Sequence, residues 1–154
     1  MNQAVNYEIP EYRVKMVADR HVPFERRPKI TTADDAVNLF RAMIPEDEMV
    51  FREHVLMLMV NPSGRVIGTY RVATGGTGGC VLDPKVVMQT ALSCMASAII
   101  LCHNHPSGSL RPSRSDEKIT QRIKEACKLL DIDLLDHLII TAEGCYSMER
   151  EREL

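Results

Sequence analysis

Residues 97–116 read SAIILCHNHPSGSLRPSRSD, and the fold turns on this stretch. Ser97 to Cys102 form a short apolar run with a β-branched centre, the pattern of a buried strand. The run ends at His103. Residues two apart on a strand point to the same side, so His103 and His105 aim both imidazoles at one point past the strand end. Cys102 and Asn104 then face the other way. Pro106, Gly108 and Pro112 break the chain and turn it. Ser113 opens a helix expected to run through about Leu130. Ile119, Ile123, Ala126, Cys127 and Leu130 mark its buried stripe. Ser113 and Asp116, three apart, share one face of its first turn. The positive helix terminus there keeps the Asp116 carboxylate ionised. Two imidazoles and a carboxylate form a three-ligand set for a catalytic divalent metal, with one position left for water.

Each piece also has a plainer reading. Ser113-x-x-Asp116 after a proline is the pattern of a helix N-cap with an acidic residue at its third position. A His-x-His pair alone carries little information. Together they are more specific, because two of the chain's five histidines stand at strand spacing just before a turn and an acidic first turn. Capping and ligation are also compatible, since Ser113 can do the first while Asp116 does the second.

The spacing H-x-H-x7-S-x-x-D is the metal motif of the JAMM (JAB/MPN+) metalloproteases, and HNHPSG followed by PS and D resembles their RadC branch, which carries a DNA repair label. FREHVLMLMVNPSGRVIG resembles the family's first hairpin, and DPKVVMQTALSCMASAIIL resembles its helix leading into the metal strand. DHLIIT and GCYSM resemble its closing strands, so the likeness covers about Met49 to Met148. The resemblance implies that His103, His105 and Asp116 are zinc ligands holding one ion per chain. It implies that Ser113 supports the oxyanion or the attacking water. It places the catalytic glutamate at Glu53, which would take a proton from water and pass it to the leaving amine. The substrate class it implies is a peptide or isopeptide amide.

From the residues alone, Glu53 is less distinctive. Val55 to Val60 read as a continuous apolar strand buried on both faces, and a glutamate just before such a strand is commonly an exposed end residue. Zinc hydrolysis nevertheless needs a general base. Glu46, Glu48, Glu117, Glu125 and Glu143 are other acidic candidates. Glu117 points about 100° round the helix from Asp116. Only the resemblance selects Glu53.

Other motif readings rank lower. HNH nucleases disperse their named residues over a ββα unit, so the adjacent letters His-Asn-His are a coincidence. Zinc deaminases need H-x-E with P-C-x-x-C, and the chain has neither. Ferrous oxygenases usually set the carboxylate beside the first histidine. H-E-x-x-H is absent. Gly75 to Gly79 lack the Gly-Lys-Ser/Thr that completes a phosphate loop. They read as a flexible connection between a strand at Gly68 to Val72 and a helix starting near Asp83, where Asp83 caps and Pro84 takes the first turn. The resemblance implies that this loop borders the active site. Cys80, at its end, is a lesser candidate to reach the metal.

The chain of 154 residues suits a single domain, with residues 1–30 an N-terminal extension and 31–154 the JAB-like unit. A chain of this length buries roughly 68–70% of its unfolded surface. Its 45% apolar and 26% charged residues suit an ordinary globule. No apolar run approaches membrane-spanning length, and MNQAVNYEIPEYRVK has no signal-peptide core. Five cysteines without C-x-x-C agree with a cytoplasmic setting. Cys94, Cys102 and Cys127 read as core thiols, and Met57 and Met59 as core filling.

Near the N-terminus, Tyr12, Val14 and Met16 alternate as in a short strand. Arg20, Arg26, Arg27 and Lys29 make a small basic cluster. Thr32 caps a helix through about Met43, with Ala36, Leu39, Phe40 and Met43 on its apolar face. MEREREL at the C-terminus reads as a solvated end. After residue 30 the order is helix, strand, strand, helix, strand, helix, strand, strand. That gives an α/β (α+β) domain, a mixed sheet with helices against it, and it agrees with the deaminase-like sandwich of the resembled family.

The alternative function is a DNA-repair-associated or DNA-binding protein without peptidase activity. A net charge of −2 lacks the basic excess that drives phosphate contact. The helix-hairpin-helix region of full-length RadC-like proteins has no counterpart before residue 30. A third reading, a metal-free interaction module, conflicts with the intact ligand set. A peptide or protein is the expected partner; oligomeric state is not legible.

Overall fold

The computed structural model describes residues 8, 10–76 and 79–154. After a 3-10 turn at Phe24–Arg26, the elements are α1 (Ala33–Met43), β1 (His54–Val60), β2 (Val66–Thr74), α2 (Pro84–Ser93), β3 (Ala98–Asn104), α3 (Arg114–Leu129), β4 (Asp133–Ile140) and β5 (Cys145–Ser147). Five strands form one mixed sheet in the order β2-β1-β3-β4-β5. Only the β3–β4 pair is parallel; the others are antiparallel. The expected α+β architecture is the observed one.

The sheet separates two apolar layers. Leu56, Leu58, Val60, Ile100 and Cys102 turn one way onto Ala36, Val37 and Phe40 of α1. Met57, Met59, Ile99 and Leu101 turn the other way onto Val87 and Ala91 of α2 and Ile123 and Cys127 of α3. Every residue of β1 and β3 is buried, as central strands covered on both faces require. Each fully buried aliphatic side chain contributes roughly 1.5–3 kcal/mol relative to exposure. Strict alternation along β3 therefore fixes which side of the sheet each residue beyond Leu101 meets.

The helix starts follow their signals. Thr32 and Ser113 head reciprocal capping boxes with Asp35 and Asp116, and Asp83 caps α2 ahead of Pro84. Some expectations need correction. Tyr12, Val14 and Met16 lie in no strand and are exposed, because no neighbouring strand pairs with them. Leu130 is not in the buried stripe; it is the C-cap of α3 and 37% exposed. Cys94 is only half-buried, at the end of α2. Met148 is buried although the charged residues after it are exposed, because its N–H pairs with the His137 carbonyl beside β4. The second strand is longer than Gly68 to Val72. Of the glycine-rich connection, Thr77 and Gly78 lie outside the described residues. Among the described residues, no helix is long and apolar enough to cross a membrane.

Candidate metal centre

β3 carries His103 to the end of the sheet on the face covered by α2 and α3. His105, two residues on, keeps the same direction. The Nε2 atoms of the two rings stand 2.9 Å apart. α3 begins beside them, and Asp116 in its first turn places Oδ1 3.5 Å from His103 Nε2 and Oδ2 3.6 Å from His105 Nε2. One donor atom from each of His103, His105 and Asp116 lies within 4.8 Å of the others, a separation that one ion can bridge. His103 is buried and its two companions are half-buried.

The surroundings of these donors suit a cation. His105 Nδ1 lies 2.7 Å from the Ser109 carbonyl, which can only accept, so this nitrogen carries the proton and Nε2 keeps its lone pair. Burial pulls the Asp116 carboxyl pKa up. The adjacent His103 and His105 rings and Ser113 overcome that effect and hold it well below the usual carboxylate range. The pKa of His105 is raised, first by the Asp116 carboxylate beside it. A proton taken up there is the simplest substitute for a metal ion among these donors. Two imidazole nitrogens and one carboxylate match the donor chemistry of a divalent transition ion.

Ser113 caps α3. Its Oγ accepts the Asp116 N–H at 3.1 Å, and its own N–H donates to Asp116 Oδ2 at 2.7 Å. The plain capping reading and the ligand reading of S-x-x-D therefore coexist in one turn. The cap leaves Asp116 Oδ1 facing His103.

A cleft of about 310 Å³ opens beside the three donors, lined among others by Glu53, Val55, Cys80, His103, Ser115 and Asp116. Glu53 is half-buried rather than an exposed strand end. Its carbonyl accepts the Gly75 N–H at 2.7 Å, which ties the glycine-rich segment to this corner. A Cβ at Gly75 would lie 2.7 Å from the Gly79 carbonyl oxygen, so only glycine lets the loop close on itself there. Cys80 lines the cleft but is not one of the converging donors. Burial, and after it the Glu53 charge, push its thiol pKa up and keep it protonated. Ser115 was not anticipated as a lining residue.

Asn104 points to the opposite face, as alternation requires. Its side chain accepts the His54 N–H at 2.8 Å and donates to the carbonyls of Met49 at 2.9 Å and Arg52 at 2.8 Å. This buried amide fastens the segment that leads into Glu53.

Sequence reading missed His137. It lies on β4, buried, with Nε2 2.9 Å from His103 Nδ1 and Nδ1 against Thr120 Oγ1 of α3. A bulge aims it there. Ile99 pairs with Leu134 and Ile100 with Asp136, so Leu135 is an extra residue on β4. The bulge puts Leu134 and His137, three apart, on the same face.

A model of the RadC-like JAB domain matches residues 30–154. This chain belongs to that family. It is 41% identical over 123 residues to a UPF0758 protein of Flavobacterium johnsoniae, covering 80% of this chain and 52% of that protein. It is 37% identical over 131 residues to a UPF0758 protein of Porphyromonas gingivalis, covering 85% and 58%. A UPF0758 protein of Streptococcus gordonii is 39% identical over 103 residues, covering 67% and 46%. The RadC-like chain thus spans about half the length of the curated relatives it matches.

Proposed function

We propose that this RadC-like domain is a zinc-dependent hydrolase of the JAMM type that cleaves a peptide or isopeptide amide. The observation that carries this reading is the convergence of His103, His105 and Asp116 beside a cleft that also holds Glu53. In this reading His103 and His105 offer Nε2, and Asp116 a carboxylate oxygen, to one zinc ion. When bound, the ion supplies Lewis acidity, which acidifies water and polarises a carbonyl.

The other steps fall to the chain's own groups. Glu53 takes a proton from the attacking water and delivers it to the departing amine, the service a positioned carboxylate gives in general acid–base catalysis. Ser113 Oγ accepts from the Asp116 N–H, which leaves its single hydroxyl proton free to donate to an oxyanion. Val55, Val81, Leu82 and Ile119 supply apolar wall to the cleft.

The test is Glu53→Gln in zinc-loaded protein, assayed against a panel of peptide and isopeptide amides. The variant is expected to keep its zinc and lose roughly 10²–10⁴-fold in kcat, the usual contribution of a general base. A fully active variant would move the base to another residue. A wild-type chain that holds zinc yet cleaves no amide on the panel would remove the peptidase reading and leave the metal centre.

A further inference from the structure

We propose that His137 and Thr120 are positioning residues that lock the His103 ring in the tautomer presenting a bare Nε2 to the metal. This rests on the metal-centre reading above, but its hydrogen-bond logic stands separately. The relay starts at the Asp116 carbonyl, which can only accept. Thr120 Oγ1 lies 2.6 Å from it and donates its one hydroxyl proton there, four residues on along α3. Towards His137 Nδ1, Thr120 Oγ1 can then only accept, so Nδ1 of His137 carries a proton. His137 is 1% exposed. Its hydrogen-bond partners, Thr120 Oγ1 and His103 Nδ1, include no anion, so the buried ring is neutral.

A neutral His137 protonated on Nδ1 has a lone pair on Nε2. His103 Nδ1, 2.9 Å away, must therefore be the donor. The proton on Nδ1 leaves Nε2 of His103 bare, pointing at His105 Nε2, which is bare for the reason already given. Two lone pairs facing each other at 2.9 Å beside a carboxylate repel unless a cation lies between them. The relay thus runs from the first turn of α3, through β4, to the end of β3. It begins at the carbonyl of the same residue whose carboxylate is a ligand. Each link fixes the next.

Two measurements test this. The first is nitrogen NMR of ¹⁵N-histidine-labelled chain, without metal and with zinc ion. With zinc ion, His103, His105 and His137 are expected to show the Nδ1–H tautomer; without metal, His103 and His137 are expected to keep it. Nε2–H at His103 in the zinc-loaded wild type would overturn the proposal. The second is zinc affinity, read by competition with a chromophoric chelator. His137→Leu, which removes the acceptor but keeps the bulk, is expected to bind zinc about 10–100-fold more weakly, the usual effect of losing such a partner. His137→Gln, which keeps an acceptor, should recover most of that loss. Thr120→Val should free the His137 tautomer and mix both forms in its spectrum. If His137→Leu does not fold, the Gln and Val variants carry the test. A folded His137→Leu that holds zinc as tightly as wild type would overturn the positioning role. A wild-type chain with the expected tautomers that fails to bind zinc would sink the metal centre and spare the relay.

Discussion

α1 and α3 open with the same local device and put it to different use. At Thr32 and at Ser113 the cap hydroxyl accepts the backbone N–H three residues on, and the aspartate there accepts the cap N–H in return. Asp35 spends its carboxylate on Thr31 and Thr32 and faces solvent, with its pKa lowered to about 2, first by the Thr31 hydroxyl. Asp116 makes the same cap bond but stands at 3.5 and 3.6 Å from two imidazoles. The motif by itself says only that a helix begins. A strand end delivered against it by the parallel β3–β4 crossover makes one copy a candidate ligand.

The two faces of the sheet repeat the contrast. Towards α1, Asn104 finds a partner for each polar atom. Towards α3, His103 and His105 turn acceptor nitrogens on each other. Saturated buried polar groups hold a structure together; converging unsatisfied ones call for a ligand.

Removing each capping aspartate would break the comparison most directly. Asp116→Ala should weaken zinc binding by more than about 100-fold, beyond the usual loss of an outer partner. Asp35→Ala should leave zinc affinity unchanged in the same chelator competition. Equal effects would contradict the separate roles. Next in size is Asn104→Leu, which strands a buried N–H and two carbonyls. It is expected to cost about 3 kcal/mol in urea unfolding of the metal-free chain.

The His54 side gives a pH test. Burial, then Arg71, lower the His54 pKa from its ordinary value of 6.5. The unfolded chain takes up a proton near that pH and the folded chain does not. The His54 contribution to stability is therefore full above 6.5 and is lost as pH falls below it. His54→Gln should flatten the fall in the urea midpoint over that range, relative to wild type. The smallest effect belongs to Thr32→Ala, expected to cost about 1 kcal/mol by thermal unfolding, with zinc affinity unchanged.

The convergence of His103, His105 and Asp116 was legible because its determinants are local. Alternation sets His103 and His105 on one side, and S-x-x-D after proline marks a helix start. His137 was illegible because a bulge at Leu135, which depends on pairing with β3, reverses its face. Plain alternation from Leu134 would have turned it towards α1. Tyr12, Val14 and Met16 misled in the opposite sense, since alternation without a partner strand does not make a strand. Glu53 looked like a strand end because the Gly75 contact that ties it down lies across a loop. Met148 was hidden by the charge run that follows it.

Anomalous diffraction at the zinc edge, on crystals grown with zinc ion, tests the central claim most directly. One strong peak is expected about 2.0–2.2 Å from His103 Nε2, His105 Nε2 and an Asp116 carboxylate oxygen. A well-ordered site with those side chains in place and no peak among them, or zinc held only elsewhere on the chain, would contradict it.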